Sequence, residues 1–227
     1  MLQVNHLVGF GGTGSRPATV TKTDDSIDVT NTDVYTFSAQ TLGTIARGRR
    51  IVVGVMGSNG STTTIDSVTV AGNAAVQLVQ AEGIGGGGWT QVALFIIVDE
   101  INATGDIIVT FSVANFRCGI GVWAVNNLLS SIATDTGSST ADPQNDTLNI
   151  SAGGVAIGYS GTYMSGSAGS THVWTNLTEQ FDTTFSETEI NHSGASDAFA
   201  AAQSALSITC NPSAAITAGA MVLAALR

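Results

Sequence analysis

The chain has 227 residues, of which 43% are hydrophobic, 11% are charged and 27 are glycine. Seven Lys and Arg residues against 17 Asp and Glu residues give a formal net charge of −10. Nucleic acids and anionic membranes are bound through clustered basic side chains, so neither is an expected partner. The length and the apolar content are sufficient for a sizeable hydrophobic core.

The first 16 residues differ in character from the rest of the sequence. An apolar stretch from Leu2 to Phe10 is followed by the glycine-rich segment 11–15, so the stretch is too short to span a bilayer. We interpret residues 1–16 as a docking arm on a glycine hinge, with a first strand of the main sheet or a disordered segment as the alternatives. The side chains expected to dock on another surface are those of Val4, Leu7, Val8 and Phe10.

Residues 17–227 show the pattern of an all-β protein. Apolar, β-branched runs recur about every ten to fifteen residues and are separated by Gly, Asn, Asp, Ser and Thr. The predicted strands are 26–30, 34–39, 50–56, 64–71, 73–79, 91–98, 106–113, 117–125, 148–151, 154–159, 173–181, 184–190, 205–210 and 217–226.

Three segments between these strands are of special interest. The glycine run 85–88 before Trp89 is either a mobile loop tip or a place where a second backbone approaches closely. Residues 130–146 are polar and turn-rich, which predicts a long exposed loop. The Ala-rich segment 194–204 fits either a short helical turn or a crowded sheet face.

These elements predict an antiparallel two-sheet sandwich of jelly-roll-like topology, formed by a single domain over residues 17–227 and preceded by the short N-terminal arm. No β–helix alternation and no internal repeat of fixed period is visible in the sequence. The low charge has two explanations: contact surfaces covered by copies or partners, or a polar surface built from uncharged residues.

No cluster of residues in the sequence points to catalysis or to a cofactor. Metalloprotease, nucleophile-elbow and CxxC motifs are missing from it. His192 is expected in a solvated turn, with a metal site shared with Glu187 and Glu189 as the weaker alternative. Cys118 and Cys210 lie in apolar strand-like runs, which favours two buried free thiols over a disulfide.

The basic segment 47–50 and the aromatic residues Trp89 and Tyr163 are the remaining candidates for a functional role. The basic segment 47–50 is expected to be a solvated strand edge or to pair with acidic groups. Trp89 and Tyr163 lie beside small-residue loops, where exposed aromatic rings are suited to stack on sugar rings. These two residues are therefore the candidate contacts for a host-surface glycan.

The sequence resembles a group of small β-sandwich virion proteins of tailed bacteriophages over most of its length. The peptides that carry the resemblance are LVGFGG, RRIVVGVMGSNG, IDSVTVAGNAAVQLV, ALFIIVDEINATGDIIVTFS, GIGVWAVNNL, GGVAIGYSG and WTNLTEQFD. They are strand and turn patterns without a catalytic signature. The resemblance implies a non-enzymatic structural protein of the head or tail, and it assigns no functional residues.

From the resemblance and the composition we expect a virion protein, assembled in the host cytoplasm, that decorates the head or forms part of a tail appendage. Its expected partners are other virion proteins and copies of itself, with a trimer favoured, and no cofactor is expected. The alternative function is a carbohydrate- or receptor-binding module at a host-recognition tip. A hydrolase is the least favoured hypothesis.

Overall fold

The computed structural model describes residues 16–86, 88–98, 102–185 and 189–227, and all regular elements in these ranges are β-strands. The first nine are β1 (Thr19–Asp28), β2 (Thr32–Thr41), β3 (Arg50–Asn59), β4 (Ile65–Val70), β5 (Asn73–Ala74), β6 (Val76–Gly85), β7 (Gly88–Val98), β8 (Thr104–Asn115) and β9 (Arg117–Asn126). The other eight are β10 (Asp135–Ser139), β11 (Gln144–Ile150), β12 (Gly154–Tyr163), β13 (His172–Thr175), β14 (Glu179–Thr184), β15 (Ile190–Phe199), β16 (Gln203–Pro212) and β17 (Ala218–Leu226).

The strands form four antiparallel sheets, two in each half of the chain. In the first half, inner sheet 1 has the order β1-β9-β3-β7-β6 and outer sheet 1 has the order β2-β8-β4-β5. In the second half, inner sheet 2 has the order β10-β17-β12-β15-β14 and outer sheet 2 has the order β11-β16-β13. The described ranges contain no helix that is long and apolar enough to cross a membrane.

The strands of the two halves pair in the same inward order, although outer sheet 1 has the additional strand β5. In the first half β1 pairs with β9, β2 with β8 and β3 with β7, so the strands pair inward from both ends of the segment. In the second half β10 pairs with β17, β11 with β16 and β12 with β15 in the same way. Inward pairing with successive strands alternating between two sheets is the jelly-roll arrangement. The chain is thus a tandem of two jelly-roll sandwiches.

The expected all-β antiparallel sandwich is confirmed, and the structure has four sheets where two were expected. The body predicted for residues 17–227 contains two sandwiches stacked through their inner sheets, because β17 packs against β6 and β7, and β12 packs against β7. The arm residues Val4, Leu7, Val8 and Phe10 lie outside the described residues.

Three hydrophobic cores fill the spaces between the four layers. The first core lies between outer and inner sheet 1, and the third lies between inner and outer sheet 2. The central core joins the two inner sheets and contains Trp123, Tyr159, Phe181 and Phe185. Because each inner sheet is covered on both faces, its central strands are largely apolar runs such as residues 51–56, whereas the outer strand β2 alternates between buried and exposed residues.

The glycine-rich hairpin between β6 and β7 lies directly against the backbone of β17. An ideal Cβ atom on Gly85 would lie 1.9 Å from the carbonyl oxygen of Thr217, a distance that no side chain permits. At Gly85 the structure therefore supports the second interpretation of the glycine run, which is the close approach of another backbone. Gly87 lies outside the described residues.

Several predicted elements differ in detail from the structure. The expected loop 130–146 contains β10, because residues 135–139 pair along β17. The predicted strand 173–181 is divided into β13 and β14, which belong to different sheets. The Ala-rich segment 194–204 contains the end of β15 and the start of β16, joined by a short turn at residues 200–202.

The outward face of outer sheet 2 is polar without charge. The Asn145 amide donates to the hydroxyl oxygens of Ser207, at 2.9 Å, and Thr209, at 2.7 Å. Such hydrogen-bonded neutral side chains accept water well and need no ionised groups. At this face, the low charge of the chain is explained by a surface of uncharged polar residues.

Candidate functional site

A cleft of about 470 Å³ lies where the two halves meet, at the end of the molecule that carries the β6–β7 and β8–β9 turns. The first half contributes Asn59, Gly88, Phe116 and Arg117, and the second half contributes Tyr163 and Glu189. Ligand sites occur preferentially at such interfaces between packed units, and this volume falls within the usual range of about 300–1,000 Å³.

Hydrogen bonds of the β3–β4 turn fix the wall of the cleft that belongs to the first half. The Asn59 side-chain amide donates to the Ala114 carbonyl at 3.0 Å, and the Asn59 Oδ1 accepts the Gly60 N–H at 2.7 Å. The Phe116 N–H donates to the Ser58 carbonyl at 3.0 Å. These contacts join the ends of β3 and β8, so the β8–β9 turn presents Phe116 and Arg117 on a rigid base.

The opposite wall is held by contacts among β12, β15 and β17. The Thr217 N–H donates to the Tyr163 carbonyl at 2.8 Å, and the Met164 N–H donates to the Glu189 carbonyl at 2.8 Å. The Gly166 N–H donates to Glu189 Oε1 at 2.6 Å. A Cβ atom on Gly88 would lie 3.0 Å from Tyr163 Cδ1, so this glycine lets the Tyr163 ring lie close to the β7 backbone.

The cleft combines two aromatic rings with one guanidinium and one carboxylate. Phe116 is 45% exposed and Tyr163 is half-buried. The Arg117 Nε is enclosed, and the Arg117 side chain makes no hydrogen bond or ion pair with the part of the chain that the structure describes. The other guanidinium nitrogens of Arg117 are therefore the donors available to a ligand that enters the cleft.

The structure separates the two residues predicted to contact a glycan. Tyr163 packs at the margin of the central core and lines the cleft. Side chains alternate between the two faces along β7, so Trp89 lies on the same face as Ala93, which belongs to the first core. Tyr163 lies at the central core, on the opposite side of inner sheet 1, so the Trp89 side chain points away from it. The Trp89 ring is half-buried and its N–H is enclosed.

Sequence reasoning missed Phe116, Arg117 and Glu189 as cleft residues. Phe116 forms the turn between β8 and β9, and Arg117 is the first residue of β9; an aromatic next to a basic residue at such a position was the available signal. Glu189 was considered only as a metal ligand. Its proximity to the β8–β9 turn depends on the stacking of the two halves.

A second polar cluster contains a hydroxyl group, an imidazole and a carboxylate in the order found in the catalytic triad of serine hydrolases. His172 Nε2 lies 3.0 Å from the Thr162 hydroxyl oxygen, and His172 Nδ1 lies 2.8 Å from Asp182 Oδ1. Thr162 is completely buried and His172 is 2% exposed. A substrate carbonyl has no path to the Thr162 hydroxyl in this arrangement, so the cluster connects β12, β13 and β14 rather than forming an open site.

The expected solvated turn at His192 is wrong, because this residue lies in the central core within β15 and is fully buried. The Tyr159 hydroxyl oxygen lies 2.8 Å from His192 Nδ1, and Phe181 and Phe185 pack against the imidazole. Burial lowers the pKa of His192 to about 3, so the ring is neutral at pH 7.

The alternative metal site at His192 also depends on Glu187, which lies outside the described residues. Among the residues that are described, no group of three or more His, Cys, Asp or Glu side chains is arranged to hold a metal ion. The His192 ring packs against Phe181 and Phe185, an environment that suits a neutral imidazole.

The structure also tests the predictions for the two cysteines and for the basic segment 47–50. Cys118 and Cys210 are free and buried, as predicted, and burial raises the pKa of both thiols, so neither is a reactive thiolate. For segment 47–50, the expectation of a solvated strand edge is wrong at Arg49, which is fully buried. Its guanidinium donates to the backbone carbonyls of Gly43 and Asn102.

Comparisons of this chain with models of protein families, with curated proteins and with solved structures give no match.

Proposed function

We propose that this chain is a non-enzymatic structural protein of a tailed-bacteriophage virion, as a head decoration or as part of a tail appendage. Residues 1–16 attach it to other virion proteins, and copies associate with one another, with a trimer favoured. The observation that carries the proposal is the continuous four-layered body, in which three cores join two sandwiches. Such a body suits a repeated building unit, and the sequence resemblance points to the same class.

The polar groups inside the body support a structural role. The cluster of Thr162, His172 and Asp182 is satisfied by its own hydrogen bonds and is closed to substrates. Arg49 is used in the same way, because it donates to carbonyl groups of two loops. Buried networks of this kind rigidify a fold and specify one packing.

The side of the molecule formed by the edge strands β6 and β10 supports contact between copies. Edge strand β6 of inner sheet 1 lies next to edge strand β10 of inner sheet 2. A groove of about 380 Å³ between them is lined by Val76, which is 63% exposed, and Ile132, which is 76% exposed. Apolar side chains beside unpaired strand edges favour association with another copy.

The cleft between the two halves favours a second candidate function, a carbohydrate- or receptor-binding module at a host-recognition tip. It brings Tyr163 together with Phe116, Arg117 and Glu189. Aromatic rings beside hydrogen-bonding groups are the combination that such recognition needs.

Deletion of residues 1–15 tests the proposed attachment. The described body begins at Arg16, and the Ala18 N–H donates to the Gly153 carbonyl at 2.7 Å, so the truncated chain retains its first tertiary contact. We expect a folded protein with an unchanged circular dichroism spectrum that no longer co-purifies with particles. Normal incorporation of the truncated chain would contradict the role of the arm.

A further inference from the structure

We propose that the cleft between the two halves binds a short neutral saccharide, with one pyranose ring against Phe116 and Tyr163 and with its hydroxyl groups on Arg117 and Glu189. This inference deepens the second candidate function and does not depend on the virion role. It rests on the composition, the rigidity and the charge of the cleft.

The aromatic side chains provide the apolar part of the site. Phe116 is 45% exposed although it lies in a turn held at both ends by β8 and β9, so its ring is presented to the solvent without freedom of the backbone. Tyr163 is partly buried against the central core, and its ring lies beside Gly88. The C–H face of a pyranose ring is apolar, and it packs on aromatic rings in the way that other apolar surfaces do.

Of the two charged groups, Arg117 donates hydrogen bonds and Glu189 accepts them. The Arg117 guanidinium carries donors that no described residue uses, and the Glu189 carboxylate is an acceptor that is anchored by the Gly166 N–H. A sugar hydroxyl group both donates and accepts, so neighbouring hydroxyls satisfy a guanidinium and a carboxylate at the same time. An apolar ligand would instead desolvate both groups without partners.

The charge of the cleft favours a neutral ligand over an anion. Among the described residues, the cleft is lined by one guanidinium and one carboxylate, and the chain as a whole has a net charge of −10. A phosphate or a carboxylate would gain one ion pair with Arg117 but would be repelled by Glu189 and by the field of the protein. A neutral saccharide uses both groups without that cost.

The cleft is open to solvent and largely formed before a ligand arrives. Its rim includes Gly60, Gly86 and Ala168, all of which are exposed. The hydrogen bonds of Asn59 and Glu189 hold the walls in place, so little ordering is needed on binding. A saccharide can therefore enter without opening the central core.

The test measures binding of three probes to the full chain by saturation-transfer NMR and calorimetry. The probes are a neutral N-acetylhexosamine trisaccharide panel, a hexuronate disaccharide and inorganic phosphate. We expect the neutral panel to contain a ligand, the hexuronate to bind more weakly, and phosphate not to compete. Failure of every neutral probe, tighter binding of the hexuronate, or competition by phosphate would overturn the proposal.

Variants of residues that line the cleft connect binding to this site. Phe116→Ala and Arg117→Gln should each weaken the neutral ligand on the order of tenfold, which corresponds to about 1.4 kcal/mol. Ala168→Trp at the exposed rim should block entry. The matched control is Trp89→Phe, because Trp89 lies on the opposite face of inner sheet 1 and should leave the affinity unchanged. Unchanged affinity in Phe116→Ala and Arg117→Gln would overturn the assignment, whereas particle incorporation is a separate readout for the virion role.

Discussion

An ideal Cβ atom on Gly83 would lie 2.0 Å from the carbonyl oxygen of Gly219, so the backbones of β6 and β17 are in direct contact. This contact joins the two sandwiches at the edge of the central core. It depends on the lack of a side chain at position 83.

Gly83→Ala should therefore destabilise the protein. The added methyl group must displace backbone rather than a flexible side chain, and overpacking of this kind costs about 1–3 kcal/mol. Urea unfolding measures the change. Gly60→Ala is the control, because its Cβ would meet Phe116 at an ordinary 3.5 Å and should have little effect. Equal stability of the two variants would contradict the close approach.

Burial of His192 predicts how stability depends on pH. Burial lowers its pKa from 6.5 to about 3, so below pH 6.5 the unfolded chain binds a proton that the folded chain does not. Stability should therefore be complete above pH 6.5 and should fall towards pH 3, by at most about 1.4 kcal/mol per pH unit from this group. His192→Gln should reduce that slope in urea titrations at pH 7, 5.5 and 4.5, and an unchanged slope would show that His192 is not the group responsible.

The closed cluster at Thr162 predicts an effect on stability. Thr162→Val removes the hydroxyl group 3.0 Å from His172 Nε2 and leaves a buried imidazole nitrogen without that partner. Such a loss costs about 1–3 kcal/mol, whereas Thr162→Ser keeps the hydroxyl and should retain more of the stability. Thermal unfolding compares the two variants. If Thr162→Val were as stable as the unmodified chain, the cluster would not support the fold.

The groove between β6 and β10 predicts where copies meet. Val76→Lys and Ile132→Lys place charges on side chains that are 63% and 76% exposed, so the fold should be kept while self-association is lost. Light scattering after size-exclusion chromatography measures the mass. Val173→Lys is the control, because Val173 is 60% exposed on outer sheet 2, away from this groove. Association that survives both groove variants would place the interface elsewhere.

The sequence predicted the fold class because strand patterns are local. The apolar run 51–56 indicates a strand covered on both faces, and it is found at the centre of inner sheet 1. Strand β10 was missed because its residues, Asp135 to Ser139, are turn-formers, and it is defined by pairing with β17 instead of by its own propensity.

The tandem arrangement could not be predicted for a different reason. The equivalent strands β3 and β12 share an apolar character but few residues, with RIVVGVMGSN in one and GVAIGYSGTY in the other. The correspondence between the halves is therefore visible in their strand order, whereas these two strands share few residues. The candidate cleft depends on the same stacking, since Arg117 and Glu189 come from different halves, and only Tyr163 of its key residues was predicted.

The most direct test of the virion role is cryo-electron microscopy of particles purified from cells that carry this gene, combined with mass spectrometry of the same particles. We expect this chain in many symmetric copies on the head or tail, with two stacked jelly-roll sandwiches fitting the density and residues 1–16 against a neighbouring virion protein. Purified particles that lack the chain, or a chain found only free in solution, would contradict the account.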